Sequence, residues 1–203
     1  MRIVVKDNFL YDPNKARQMG IRANYDACED KTEWHWIDAQ STTTIDKPAL
    51  ETTFTELIGE SVELVEADYH KFNMSYENPY DLLHIHHDDY DYIGIVYLNT
   101  PDQYDEKDGT LIVSHTETGI DYMDEERFGN HDTYRGGTID DYTNNDSYDL
   151  SKWTTKMFIP MKFNRLVLFE PRYYHVGTRV FGDSLETGRL VEVFHMKKVE
   201  ENE

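Results

Sequence analysis

The sequence predicts a mainly β protein, a β-sandwich or jelly roll with helices packed outside its sheets. Three observations predict it. After Gly59, short apolar runs follow one another, separated by polar turns. Before Gly59, two helix-start signals occur instead. The 203 residues include fifteen tyrosines, and a chain of this size buries roughly 70% of its unfolded surface, enough for a core without disulfides. The organisation expected is one domain over 1–203, with helical support over 1–60 and a jelly-roll core over 61–203.

Residues 2 to 6 are β-prone and form a first strand. Asp12-Pro13 reads as N-cap and first helical position of a helix running to about Tyr25. Residues 29–45 are polar and irregular. Asp46-Lys47-Pro48 opens a second helix, with Leu50, Phe54, Leu57 and Ile58 on one face and Gly59 as the stop. Strands are expected at 62–68, 82–88, 92–99, 109–115, 157–161, 165–170, 173–180 and 189–196. A long insertion over 118–155, rich in Asp, Asn, Tyr and Gly, reads as a functional loop and a candidate lid.

Composition excludes several classes. Forty acidic residues against twenty basic give a net charge of −20. Such a charge repels phosphate backbones and anionic membranes, so nucleic acid is a disfavoured partner. No stretch approaches the ~18 apolar residues of a membrane span, and the N-terminal apolar run stops at Lys6. The single cysteine, Cys28, excludes a disulfide framework and multi-cysteine zinc sites, and it fits a reducing cytoplasm.

The chemistry-bearing run is Leu82-Leu83-His84-Ile85-His86-His87-Asp88-Asp89. In a strand, residues i and i+2 project to one side, so His86 and Asp88 would point together. His87 and Asp89 have the same spacing on the opposite face, and the register between the two pairs stays open. His84 shares the face of His86 and Asp88. Two imidazoles and one carboxylate on one face, with the other face open, suit iron(II). His175, between one strand and the next, is the candidate third ligand. His35, His70, His115, His131 and His195 default to surface or core roles.

In order along the chain come Ile85-His86-His87-Asp88, Ile95-Val96-Tyr97-Leu98-Asn99, Asp108-Gly109-Thr110-Leu111, Asn164-Arg165-Leu166-Val167-Leu168-Phe169, His175 and Gly188-Arg189-Leu190. Together these elements resemble the 2-oxoglutarate/Fe(II)-dependent oxygenases of prolyl-4-hydroxylase type. The opening Val5-Lys6-Asp7-Asn8-Phe9-Leu10-Tyr11-Asp12-Pro13 is also similar to a subgroup of small members, many of them found in phages of marine bacteria. The resemblance covers 62–196 well. It implies a double-stranded β-helix in which His86, Asp88 and His175 bind iron(II). It implies that Arg189 pairs with the distal carboxylate of 2-oxoglutarate and that Tyr97 gives that carboxylate its hydroxyl. It further implies hydroxylation of an amino acid, a peptidyl residue or a small metabolite, with 2-oxoglutarate converted to succinate.

Asp108 departs from the family's first turn glycine and is expected only to alter a turn. His195 stands where nucleic-acid dealkylases of the superfamily carry a second arginine, which argues against alkylated DNA or RNA. Asp88 retains the carboxylate that halogenating relatives lack. Two other readings remain: a cupin-like metalloprotein that uses no 2-oxoglutarate, and a non-enzymatic jelly-roll binding module.

Overall fold

The structure, a computed structural model, describes residues 1–23, 37–40, 46–65, 71–75, 84–123, 133–134, 137–138, 143 and 145–199. Cys28, Leu82, Leu83, His35, His70, His131, the expected helix end near Tyr25 and much of 118–155 lie outside the described residues. Among the described residues the protein is mainly β, with two α-helices, and no helix is long and apolar enough to cross a membrane.

The N-terminal strand β1 (Ile3–Asp7) leads into α1 (Pro13–Arg22). Asp12 caps α1 by accepting a hydrogen bond from the Lys15 N–H, as the Asp-Pro signal predicts. After β2 (Ile37–Gln40) comes α2 (Lys47–Ile58), capped by Asp46 and closed at Gly59, whose φ of 78° places it in the left-handed region. The strands that follow are β3 (Val62–Leu64), β4 (Lys71–Ser75), β5 (Tyr92–Tyr97), β6 (Gly109–His115), β7 (Thr133–Tyr134) and β8 (Gly137–Thr138). Then come β9 (Trp153–Pro160), β10 (Arg165–Phe169), β11 (His175–Gly177) and β12 (Arg189–Lys198).

A large antiparallel sheet has the order β1-β10-β5-β12-β4-β2, with β3 also on β12, and a smaller one has the order β11-β6-β9. Every residue of β5 is buried, because the strand is central and both its faces are covered. On one face, Val96, Leu166, Leu190, Phe194 and Met196 join Phe54 and Ile58 of α2, and Met19 and Ala16 of α1 pack against them. On the other face, Ile95, Tyr97, Val167, Val191 and Val193 meet Ile112 and Ile159 of the smaller sheet. The two sheets thus face each other across one core in a jelly-roll-like arrangement. Full burial of each such aliphatic or aromatic side chain contributes about 1.5–3 kcal/mol.

Two asparagines in the quoted motifs tie this frame together. Asn164, at φ 60°, exchanges two hydrogen bonds with the Leu10 backbone and holds the β1–α1 connection against the start of β10. Asn99 is fully buried; it donates to the Gly188 carbonyl and accepts from the Leu190 N–H. It therefore grips the backbone on both sides of Arg189. Arg17 of α1, also buried, donates to the carbonyls of Leu98 and Glu186 and anchors the same corner.

Several elements differ from expectation. The expected strand over 82–88 is reduced, within its described part, to a single β-bridge between His86 and His175. β9 begins at Trp153, inside the expected insertion, because its Thr154-Thr155-Lys156 stretch is exposed and carries no apolar signal. β4 was not expected either: only Phe72 and Met74 alternate inward, between polar neighbours.

Candidate metal centre

His86, Asp88 and His175 are brought together by backbone pairing. His86 N–H donates to the His175 carbonyl at 3.1 Å, and His175 N–H donates to the His86 carbonyl at 2.9 Å. Asp88 N–H donates to the Pro171 carbonyl at 3.0 Å. This extends the smaller sheet by one bridge beyond β11, whose His175 faces Ile112 of β6. The same-side logic of positions i and i+2 therefore survives without a regular strand.

One ligand atom from each of the three side chains lies within 4.8 Å of the others, a set that can hold one metal ion. The His175 Nε2 stands 3.5 Å from Asp88 Oδ2, and the two imidazole rings are 4.4 Å apart. His86 Nδ1 lies 2.9 Å from the His84 carbonyl, and His175 Nδ1 lies 2.9 Å from the Tyr173 carbonyl. A carbonyl only accepts, so each Nδ1 carries the proton and each Nε2 keeps its lone pair for a metal. Burial, and then the neighbouring His86, push the His175 imidazole down to about 4, so the ring is neutral at pH 7.

The alternative pair is arranged differently. His87 sets its ring edge against Tyr174, and the Asp89 side chain is 70% exposed, with 3.9 Å between their nearest polar atoms. His84 stacks parallel to His86 at 5.6 Å and lines the same cavity. Burial, then the charge of His86, lower its imidazole to about 4.

The cavity holds about 460 Å³. The three candidate ligands lie in its wall, with Ile93, Ile95, Val191 and Val193 as an aliphatic side. Arg189 reaches it from β12 and is 6% exposed. Its guanidinium lies 6.0 Å from the Tyr97 ring centre and packs where Gly177 has no side chain: a Cβ there would sit 3.5 Å from Cζ. The buried Arg189 Nε has no hydrogen-bond partner, and no ion pair to Arg189 is found among the described residues. Burial lowers its pKa from the usual arginine value. A buried guanidinium with unspent donors is a receptor for an anionic oxygen.

Tyr97 is fully buried and is not among the residues lining the cavity. Its hydroxyl meets Thr110 Oγ1 at 2.6 Å, and it is Thr110 that lines the cavity. Sequence reasoning assigned no role to Thr110, although it sits in the quoted Asp108–Leu111 motif. It also left out Asn73 and treated His195 as an ordinary core or surface residue, yet both line the cavity. Alternation along β4 and β12 carries the signal for both, and His195 is also marked by the position at which dealkylases carry a second arginine.

Asp108 does more than alter a turn. It is 1% exposed and accepts from Arg179 Nε at 2.6 Å and from the Asp105 N–H at 2.8 Å. Burial alone would raise its carboxyl; the Arg179 hydrogen bonds, the Asp105 backbone and the charges of Arg179 and Arg189 hold it below its ordinary value. The pair fixes the turn into β6, where Gly109 N–H donates to Thr178 Oγ1.

The sequence matches no protein-family model and no curated protein. Among solved structures, the chain is similar to HygX from Streptomyces hygroscopicus, crystallised with nickel, 2-oxoglutarate and hygromycin B, at 10% identity and a TM-score of 0.54. That match covers 97% of this chain and 82% of HygX. It is also similar to the non-heme alpha-ketoglutarate-dependent epimerase SnoN from nogalamycin biosynthesis, at 11% identity and a TM-score of 0.52, covering 97% of this chain and 78% of SnoN. At such identity the likeness concerns the fold alone: this chain shares a mainly β, jelly-roll-like fold with HygX and SnoN.

Proposed function

We propose that this protein is a 2-oxoglutarate-dependent Fe(II) dioxygenase that hydroxylates a small-molecule or peptide substrate. The observation that carries the proposal is the presence, in one cavity, of the His86, Asp88 and His175 ligand atoms and of the buried Arg189 whose Nε lacks a partner. In this reading the sheets form a double-stranded β-helix and the whole chain is one oxygenase domain. The motif order favours the prolyl-4-hydroxylase type, and the lone cysteine favours a cytoplasmic location.

The donor set fits iron(II): two imidazole nitrogens, held in one tautomer by backbone carbonyls, and one carboxylate oxygen. When bound, iron(II) with 2-oxoglutarate and oxygen supplies the oxidising power for C–H hydroxylation, and succinate and carbon dioxide are released. The chain's own residues do the orienting. Arg189 offers a planar, buried cation to the distal carboxylate, and low local polarity strengthens that pairing. Thr110 lines the same cavity with a hydroxyl held by the Tyr97 hydroxyl, and in this reading Tyr97 acts on the distal carboxylate through Thr110. The aliphatic side formed by Ile93, Ile95, Val191 and Val193 excludes water from the reacting centre. Asp88 occupies the position whose loss would open a halide site, which favours hydroxylation over halogenation.

The experiment is an anaerobic titration of iron(II)-loaded protein with 2-oxoglutarate, followed in the visible range. A weak charge-transfer band is expected in the wild type and none in Asp88→Ala or His175→Ala; a band retained by both variants would refute the ligand assignment. Metal binding without succinate formation would favour a cupin-like reaction. Labelled oxygen separates the remaining outcomes, because an epimerisation like that of SnoN would leave no label in the product.

A further inference from the structure

Strand alternation places the neighbours of the two candidate histidine ligands on the far side from the metal. Ile85 and Tyr174 are 1% and 2% exposed, in a cluster with Val113, Ile120, Met123 and Trp153. The cluster is gripped by part of the chain that the sequence suggested as a lid. Ile85 N–H donates to the Ser147 carbonyl at 3.0 Å, and the Tyr174 hydroxyl donates to Thr143 Oγ1 at 3.0 Å. The Tyr148 ring lies 5.0 Å from His84, which in turn stacks on His86.

This segment is pinned from below. His115 is buried, with Nε2 at 3.0 Å from Asp146 Oδ2 and Nδ1 at 3.0 Å from Thr118 Oγ1. The carboxylate only accepts, so His115 donates through Nε2. Trp153 adds a bond from its indole N–H to the Asp146 carbonyl and packs on the His115 ring at 5.0 Å.

We propose that Thr143 and Asp146–Tyr148, locked by the His115–Asp146 pair, form a brace that positions His86 and His175 from the face opposite the metal. The proposal rests on the metal-centre reading. His115 and Asp146 touch neither metal nor substrate in it; they are positioning residues. Each ligand is then fixed at two places: its Nδ1 bonds to a carbonyl of its own segment, and the adjacent residue bonds to the brace. Groups bonded directly to metal ligands typically change metal affinity about 10–100-fold when removed, and the brace, acting through the neighbours of the ligands, is expected at the lower end of that range.

The test uses cobalt(II) as the probe, followed by its visible absorption, in Asp146→Ala, Asp146→Asn and Val113→Ala. Val113→Ala perturbs the same cluster without altering a brace residue and serves as the packing control. Asp146→Ala is expected to weaken cobalt binding at least ~10-fold relative to that control. Asp146→Asn keeps an acceptor for His115 and is expected to stay within ~3-fold of the wild type, since a neutral bond replaces a charge-assisted one. Equal affinities in Asp146→Ala and Val113→Ala would overturn the brace. The imidazole nitrogen spectrum of metal-free protein decides it independently: the Nδ1–H signals of His86 and His175 are expected to shift in Asp146→Ala, and unchanged signals would overturn the brace. A wild type that binds no cobalt would overturn the metal centre instead, with the imidazole signals still deciding the brace.

Discussion

Replacing Arg189 with methionine separates the two things a buried guanidinium can do. In the free protein it is a cation with little exposure, lowered in pKa by burial and with a partnerless Nε. Exchanging a buried charge for an apolar side chain of similar length is often neutral or stabilising by about 1–4 kcal/mol. Arg189→Met is therefore expected to unfold at the same temperature as the wild type or a few degrees higher. With ligand the sign reverses. Two charge-assisted hydrogen bonds, each worth about 1.5–3 kcal/mol, are lost. Allowing for partial replacement by water, a net loss of about 3 kcal/mol weakens 2-oxoglutarate roughly 100-fold. The assay is thermal unfolding of nickel-loaded protein with and without 2-oxoglutarate at about 100 times the wild-type Kd. The wild type then gains about 2.7 kcal/mol, or roughly 5–10 °C, and the variant about 0.4 kcal/mol, or roughly 1 °C. Equal ligand-induced shifts would refute the role of Arg189. A loss of more than about 2 kcal/mol without ligand would show that the guanidinium is structural.

Three further outcomes are expected. Asp89→Ala should leave metal affinity within ~2-fold of wild type while Asp88→Ala lowers it by at least ~10-fold, measured by cobalt titration, because Asp89 is exposed and Asp88 stands beside His175. Gly109→Ala should destabilise the fold by about 2–3 kcal/mol in denaturant unfolding, because its Cβ would sit 2.1 Å from the Ile159 carbonyl oxygen, where backbone must shift. Asp7→Asn should remove a pH-dependent contribution of at most ~1 kcal/mol, since the Asp7 side chain is about one-third exposed. Hydrogen bonds from Arg165 and Lys162 hold the Asp7 carboxyl near about 2, below its ordinary 3.8. That contribution is complete above pH 3.8 and fades as pH falls toward 2, so wild type and variant should converge in stability at the acid end.

Local signals in the sequence determined both helix starts, most strands of the two sheets and the residue types of the candidate metal centre. Asp12-Pro13, Asp46 and Gly59 act within a few residues of themselves, so their meaning does not depend on the rest of the chain. The period of two that paired His86 with Asp88 is likewise local. Only the tertiary structure decided what depends on contacts far apart in sequence. The bridge between His86 and His175 orders the ligand segment where no regular strand forms. The Tyr97 hydroxyl is turned to Thr110, since Tyr97 lies wholly between the sheets. Asp108 became a buried partner of Arg179, seventy-one positions away, where the sequence suggested only a turn. Thr143 and Ser147, expected in a lid, contact the backs of the candidate ligand segments, because the Thr143 hydroxyl and the Ser147 carbonyl found partners in Tyr174 and Ile85. Sequence specifies which groups a chain can offer to a metal; long-range packing specifies which of them converge and what holds them in place.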